Sequence, residues 1–357
     1  MSNGFFYFIT LAQMKFLFLY TEIAEYFIAC CRELEQYGEV HVVRWDVNKE
    51  APFQFQFSEK IKIYNKENYN NKELNELIKT IDPSIIICSG WIDKDYLKIT
   101  KTYYKKIPTV MTCDTHWTGS LKQQLATVLS RFTLLKLFSH AWIPGKSQKQ
   151  YALKLGFKNE NILTGFYSCD LTRFESIYQA QFQQKQKQFP KRFLYVGRYV
   201  DFKGIKELWQ AFTELQIEQP NDWELWCLGV GDITPINHPK INHFGFVQPS
   251  DLEKYTEQTG VFVLPSRFEP WGVVVHEYAA SGFPLLLSNR VGAKEKFLQE
   301  GKNGFEFEAG NVKSIKLALQ KIISSKDSEL LAMGAKSNEL SKSISPKTWA
   351  DSLLKIV

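Results

Sequence analysis

Hydrophobic residues along this chain come in short unbroken runs, each followed by a stretch whose apolar positions recur at helical spacing. KFLFLY, residues 15–20, predicts a buried strand; an amphipathic helix through 29–37 and a second strand at 40–43 complete a βαβ opening. Helix 74–80, strand 84–88, helix 95–104 and strand 108–113 extend the alternation, and strand 141–144 and helix 148–155 continue it. Between them, residues 121–140 predict a long helix with Leu125, Val128, Leu129, Phe132, Leu135 and Phe138 on one stripe and Lys122, Arg131 and Lys136 off it. Ordinary packing predicts that this stripe faces the core; a membrane surface is the other environment that suits it.

Residues 179–191, rich in Gln and Lys, have the composition of a linker or an exposed helix. The alternation then resumes: strand 192–196, helix 205–215, strand 223–228, a short strand 241–245, helix 251–256, strand 261–264, a helix opening at Gly272, strand 285–288 and helices 294–299 and 312–324. Strands that alternate with helices predict parallel sheets. The expected architecture is therefore α/β, with two Rossmann-like doubly wound domains, residues 1–172 and 192–342, facing across a cleft. Residues 173–191 are the expected linker, and 343–357, with a helix at 349–356, are expected to cross back to the first domain.

Composition narrows the class. With 44% hydrophobic and 23% charged residues over 357 positions, the chain is globular and long enough for two cores. The net charge of +6 is modest. Basic clusters at 98–106, 146–158 and 185–192 suit a solvated surface, and would also suit anionic membranes or phosphorylated ligands. No nucleic-acid-binding motif accompanies them. Cysteines at 30, 31, 88, 113, 169 and 227 lack zinc-ligand or disulfide-framework spacing, which predicts a reducing cytoplasm. The aromatic stretch 5–20 is interrupted by Thr10, Gln13 and Lys15 and is too short to span a bilayer, so membrane contact, if made, is expected to be peripheral, at the inner face. Met14 is a second candidate start.

Candidate chemistry concentrates in residues 264–282, LPSRFEPWGVVVHEYAASG. The apolar run ending at Leu264 suits a strand buried on both faces. Pro270 and Gly272 punctuate the loop after it, and Val273, Val274, Val275, Tyr278, Ala279 and Ala280 leave the next helix almost no polar face before Gly282. The first turn of that helix, at Gly272 and Val273, aims backbone N–H groups above the sheet edge, a site suited to a diphosphate. Glu277 sits on the apolar helix, where a carboxylate needs partners; having acceptors only, it would be satisfied by the two hydroxyls of a ribose. Glu269 lies at the strand's carboxyl end, where open α/β sheets bind ligands. The plainer reading is a solvated loop glutamate and a helical glutamate in a structural ion pair.

A second cluster, GRYVDFKG at residues 197–204, places Arg198 and Lys203 between Gly197 and Gly204 at another strand's carboxyl end. A planar fork and a point charge could meet a diphosphate from two directions and stabilise the charge on a departing nucleoside diphosphate. A strand-to-helix turn with surface charges is the alternative. Gly229-Val230-Gly231-Asp232 follows a further strand and allows close backbone approach, but it is not a dinucleotide fingerprint.

Taken in order, GRYVDFKGIKELWQAF, LGVGD, FGFVQPSDLEKYTEQTGVFVLPSRFEPWGVVVHEYAASGFPLLLS and EGKNGFEFEAGN resemble the retaining glycosyltransferases of family 4, which have the GT-B fold. The resemblance covers roughly residues 193–312. It implies transfer of a hexose-type group from a nucleoside diphosphate sugar to the hydroxyl of a glycan or lipid-linked acceptor, in polysaccharide or glycolipid assembly, with no bound cofactor. By that resemblance Glu269 contacts the donor sugar's hydroxyls, Glu277 binds the ribose, Arg198 and Lys203 bind the diphosphate, and the Gly272–Val273 backbone caps it. Phe246 and Val247 fall where the backbone reads the base, with Gly197 and Gly231 beside the donor. In the first domain Asp114-Thr115-His116 follows a strand and resembles the family's histidine position, which puts His116 toward the donor sugar.

One departure is the first loop, residues 21–25, which lacks the glycine pair many members place there; Ser89-Gly90-Trp91 on a neighbouring loop is the candidate substitute. Asp93-Lys94-Asp95 imitates the metal-binding DxD of the other glycosyltransferase fold, but either aspartate suits the cap of the following helix, and Arg198 with Lys203 supplies positive charge, so no metal is expected. The rival expectations are a sugar-nucleotide 2-epimerase of the same fold and a carbohydrate-binding subunit without transferase chemistry.

Overall fold

The computed structural model describes residues 14–46 and 57–357. It resolves into two compact units, one comprising Met1–Tyr167 with Pro346–Val357 and the other Ser168–Ser345. Residues 5–13 of the aromatic stretch lie outside the described residues, and its remainder forms the first strand.

The first unit is built on seven strands: β1 (Met14–Tyr20), β2 (Gly38–Arg44), β3 (Ile61–Asn65), β4 (Ile85–Ser89), β5 (Thr109–Thr112), β6 (His140–Ile143) and β7 (Ile162–Thr164). Their order is β3-β2-β1-β4-β5-β6-β7, with every pairing parallel. Successive side chains of β1 point to opposite faces, and both faces are apolar, so helices must cover both. Phe16 and Phe18 join Phe27, Trp142 and Trp349 in one core, while Leu17 and Leu19 join Ile78, Tyr96 and Met111 in the other. The C-terminal helix Pro346–Leu354 completes the first of these. Trp349 stacks on Phe18 at 5.9 Å, lies 4.7 Å from Trp142, and donates its indole N–H to the Phe166 carbonyl at 2.8 Å.

The second unit is a six-stranded parallel sheet of β8 (Arg192–Val196), β9 (Glu224–Leu228), β10 (Ile241–His243), β11 (Val261–Leu264), β12 (Leu285–Ser288) and β13 (Gly304–Phe307), ordered β10-β9-β8-β11-β12-β13. Both sheets thus share one arrangement in which the first strand lies between the second and the fourth. This is the doubly wound, Rossmann-like pattern expected from the alternation of elements.

Three expectations are corrected. Residues 173–191 are no linker: the helix Leu171–Lys187 belongs to the second unit and buries Phe174, Ile177, Gln181 and Lys185. Its polar residues are used internally, with Gln181 donating to the Thr256 hydroxyl at 2.9 Å and the Lys185 ammonium 4.0 Å from the centre of the Phe283 ring. Burial there lowers the Lys185 pKa to about 7. The helix expected over 121–140 spans Leu121–Leu129 and breaks into two tight turns, Ser130–Phe132 and Leu134–Lys136. Its apolar stripe is divided: Phe138 is buried and Leu135 packs against the same core, but the positions before them do not face it. Leu121, Leu125, Val128, Leu129 and Phe132 are exposed, whereas Gln123 and Ser130 are buried. The edge strands β3, β7 and β13 and the helix Asp327–Ser341 carry too weak a hydrophobic pattern to be read in advance.

No helix among the described residues is long and apolar enough to cross a membrane. The place of Trp349 between two aromatic neighbours gives a direct test of the C-terminal helix. Trp349→Ala should lower the stability of the first unit by about 3–5 kcal/mol, the usual effect of emptying a buried aromatic site, read as a shift of its denaturant midpoint with the second unit's transition unmoved.

Candidate active site

In a doubly wound sheet the connections leave the first and fourth strands toward opposite faces, so the loops at their carboxyl ends part and leave an open crevice. In the second unit those strands are β8 and β11, paired through Phe193–Val261 and Leu194–Phe262. The loop after β8 is the Arg198–Lys203 cluster, and the loop after β11 carries Glu269 and Gly272. The sequence therefore delivers its two candidate motifs to adjacent strand ends.

The two loops are fastened to each other by backbone contacts. Arg267 and Phe268 both donate their N–H groups to the Phe202 carbonyl, at 2.8 and 3.3 Å. The Arg267 guanidinium reaches back to Asp201 at 3.1 Å and to Glu207. Gly204 has φ +68°, and a Cβ there would stand 2.2 Å from the Pro265 carbonyl oxygen, so the loops close to a distance that only glycine permits. From behind, Gly292 donates to the Glu269 carbonyl at 3.0 Å and Ala293 to that of Trp271 at 2.9 Å.

Held this way, the Lys203 ammonium forms an ion pair with the Glu269 carboxylate, and the Ser266 hydroxyl donates to the same carboxylate oxygen at 3.2 Å. Both side chains are largely shielded, 17% and 12% exposed. Arg198 and Lys203 each lie 5.8 Å from the centre of the Phe202 ring, so both cations border the same partly exposed aromatic. Tyr195 fixes the Arg198 backbone by donating to its carbonyl at 2.8 Å. The helix Val273–Ala280 starts at Gly272, whose φ is +96°, and no side chain caps it. By helix geometry the N–H groups of Val273 and Val274 lack intrahelical partners, while that of Val275 donates to the Gly272 carbonyl at 3.0 Å.

The remaining candidates extend along the same edge. Gly229 leaves β9 so close to Gly197 that a Cβ would meet that residue's carbonyl oxygen at 1.9 Å. Gly229 also donates to the Gly245 carbonyl at 2.7 Å, and Tyr199 to that of Val230 at 2.9 Å, joining the exits of β8, β9 and β10. Gly231 is exposed, and Phe246 and Val247, after β10, are half-buried. Four adjacent strands thus present Val247 and Phe246, Gly231, Gly197 with Arg198 and Lys203, and Glu269 with Gly272 from one rim.

Glu277 is half-buried on a helix whose other side is locked. His276 beside it is fully buried and stacks on Phe297 at 4.4 Å. Its Nδ1 accepts from the Cys169 N–H at 3.1 Å, which leaves Nε2 to donate to the Ser341 carbonyl at 2.9 Å. The ring must stay neutral to accept at Nδ1, and burial lowers its pKa to about 4. Nothing in the chain's pattern marks this anchor, because a histidine within an apolar helix has no distinguishing spacing.

His116 lies in the first unit, after β5, half-buried, with its carbonyl accepting from the Gln123 amide at 2.8 Å. That unit has its own switch point between β1 and β4, where a cavity of about 510 Å³ opens. The first loop and Ser89-Gly90-Trp91 line it together, and the Ser89 hydroxyl accepts from the Thr21 N–H at 3.2 Å. Its walls include Tyr20, Tyr26, Phe166 and Tyr167, to which the sequence reading attached no role, and Tyr167 donates to Asp114 at 3.2 Å. Burial raises the Tyr20 and Tyr167 hydroxyls well above the ordinary phenol range, so they act as neutral donors and acceptors. Asp93 is committed elsewhere. It caps the helix Lys94–Tyr103 through the N–H groups of Asp95 and Tyr96 and takes hydrogen bonds from Lys66 and Trp45. Among the described residues no group of three or more His, Cys, Asp or Glu side chains could hold a metal ion.

Comparison with known proteins bears on this arrangement. Residues 177–339 match the family model for Glycosyl transferases group 1. An uncharacterized glycosyltransferase, MJ1607, of Methanocaldococcus jannaschii is 31% identical over 144 residues, 38% of this chain and 36% of that protein. The capsular polysaccharide biosynthesis glycosyltransferase CapM of Staphylococcus aureus is 28% identical over 196 residues, 50% of each chain. The chain therefore spans between a third and a half of the length of these curated relatives. The structure of Anabaena HepE in complex with UDP and glucose superposes over 96% of this chain and 99% of its own, with a TM-score of 0.68 at 13% identity. Such a likeness carries the fold, which is GT-B.

The His276 anchor has a pH signature. In the unfolded chain the imidazole takes a proton near its ordinary value of 6.5, while the folded site resists until about 4. The stabilisation is therefore complete above about pH 6.5 and is lost as pH falls toward 4, by about 3 kcal/mol in all. Denaturant midpoints of the second unit measured across this window should fall more steeply for the wild type than for His276→Gln.

Proposed function

We propose that this chain, which carries a glycosyl transferases group 1 domain in a GT-B fold, is a retaining glycosyltransferase that moves a sugar from a nucleoside diphosphate to an acceptor hydroxyl without a metal ion. The observation that carries this reading is the convergence of Arg198, Lys203 and Glu269 at the switch point of the second sheet, beside the uncapped helix start at Gly272.

Each group has a task in the proposed reaction. The diphosphate binds the Arg198 fork, the Lys203 ammonium and the first-turn N–H groups after Gly272, where helix ends favour anions. Glu269, held by Lys203 and Ser266, accepts hydrogen bonds from the donor sugar's hydroxyls. Glu277 accepts from the ribose, the Phe246 and Val247 backbone reads the base, and Gly197 and Gly231 leave room for the nucleotide. The glycosidic C–O bond to phosphate breaks as the bond to the acceptor oxygen forms on the same face, and the acceptor's proton passes to the departing phosphate oxygen. Charge builds on that phosphate in the transition state, so fixed cations stabilise the transition state more than the bound donor.

The curated relatives include a capsular polysaccharide enzyme, which supports polysaccharide or lipid-linked glycan assembly as the setting. A protein of the same fold has been solved with UDP and glucose, which makes UDP-glucose the first donor to assay. A panel of UDP-, GDP-, ADP- and dTDP-sugars, followed by release of nucleoside diphosphate, tests the reading. One donor should be turned over in excess chelator, and NMR of the product should show the donor's anomeric configuration kept. Abolition by chelator with rescue by manganese would overturn metal independence, and epimerised UDP-GlcNAc formed without acceptor would make the chain an epimerase. Arg198→Ala and Lys203→Ala should each lower kcat by about a hundredfold or more, the usual loss when one transition-state charge stabiliser is removed; near-native turnover in both would sink the assignment.

A further inference from the structure

The helix Leu121–Leu129 and the turn Ser130–Phe132 are built inside out. At 3.6 residues per turn, Leu121, Leu125, Val128, Leu129 and Phe132 fall within an arc of roughly 100°. All five are exposed, from 49% at Leu129 to 83% at Leu121. The opposite side is polar and buried. Gln123 accepts from the Thr118 N–H and hydroxyl at 2.7 and 2.9 Å and donates to the His116 carbonyl, and Ser130 donates to the Leu155 carbonyl at 2.5 Å. Hydrogen bonds therefore hold this segment to its unit while its apolar stripe is left against water, an arrangement whose unfavourable hydration calls for a second surface to cover it.

Charge identifies that surface. Residues 115–159 contain seven Lys and Arg and no Asp or Glu. Against a chain total of +6, seven positive charges here leave the other residues at −1 together, so this segment holds the chain's excess of positive charge. Lys122 and Arg131 lie on the flanks of the apolar arc, and both are exposed. Leu and Phe on one side, bordered by cations, match the boundary between acyl chains and acidic headgroups of a bilayer. A protein partner would answer the apolar stripe equally well, but nothing about such a partner calls for an acid-free run of this length.

We propose that the face formed by residues 121–132 docks the protein on an anionic lipid surface, lying in the headgroup plane without crossing it. Lys122, at the border of the stripe, also lines the 510 Å³ cavity of the first unit, as does the 72%-exposed Ile92. The docked face and the cavity mouth are therefore neighbours.

Sedimentation of the full chain with vesicles tests this. Vesicles of phosphatidylethanolamine and phosphatidylglycerol should bind it, phosphatidylcholine vesicles should bind it at least about tenfold less, and added salt should weaken the binding. Leu125→Glu with Phe132→Ser removes apolar contact at two exposed positions. It should reduce vesicle binding at least about tenfold, as losing two inserted side chains does, with thermal unfolding unchanged. Failure of the wild type to bind anionic vesicles, or undiminished binding by the double variant, would overturn the proposal. So would concentration-dependent self-association abolished by the same substitutions, which would make the face an interface between copies. Binding of nucleoside diphosphate sugar by the double variant is an independent readout, so loss of docking and failure of the proposed activity are told apart.

Discussion

The site depends on the parallel pairing of β8 with β11. Those strands are first and fourth in their sheet, so the pairing sets two loops that are distant in sequence side by side at a point where the crossover helices diverge. Everything on the rim follows from it: the Phe202 carbonyl shared by Arg267 and Phe268, the closure of Gly204 on Pro265, and the meeting of Lys203 with Glu269. A partly shielded ion pair of this kind contributes little net stability, since desolvation offsets much of the attraction, whereas removing one member leaves the other charge stranded. Its presence at the carboxyl edge of the sheet is better explained by geometry. Each charge holds the other in a fixed place before any ligand arrives, and the reorganisation that binding would otherwise require is avoided.

The same economy operates behind the rim. The helix Val273–Ala280 must expose Glu277 on one side while bearing a burden of valine and alanine on the other. Its position is fixed by His276, wedged between Cys169 and Ser341, and by the Asn338 amide, which donates to the Ala280 carbonyl at 2.6 Å. These are polar contacts inside an otherwise apolar layer, and directional bonds specify rotation and register where greasy packing alone would tolerate slippage.

What could be read in the sequence follows from how locally each feature is encoded. Central strands such as β1, β4, β8 and β11 are buried on both faces and appear as unbroken apolar runs, so the parallel architecture was legible. So were the rim residues, because glycines, prolines and charges at strand ends stand out from an apolar background. The edge strands β3 and β13 are only partly buried and lack that contrast. The helix Leu171–Lys187 reads as a linker because its Gln- and Lys-rich composition masks the spacing of Phe174 and Ile177, and because burial of Gln181 and Lys185 depends on partners far along the chain. The stripe from Leu121 to Phe132 misled for a different reason: periodicity reveals that a helix has an apolar side, but not which way that side is turned. That choice was made by Gln123 and Ser130, whose partners no periodic pattern predicts.

Gly204 and Gly229 leave their missing side-chain space filled by the carbonyls of Pro265 and Gly197. At these two points the rim is peptide packed on peptide, and its outline stays the same whatever residues decorate the loops around it. Divergence of such a rim toward new ligands has to proceed through the side chains around these contacts, which themselves stay closed to substitution.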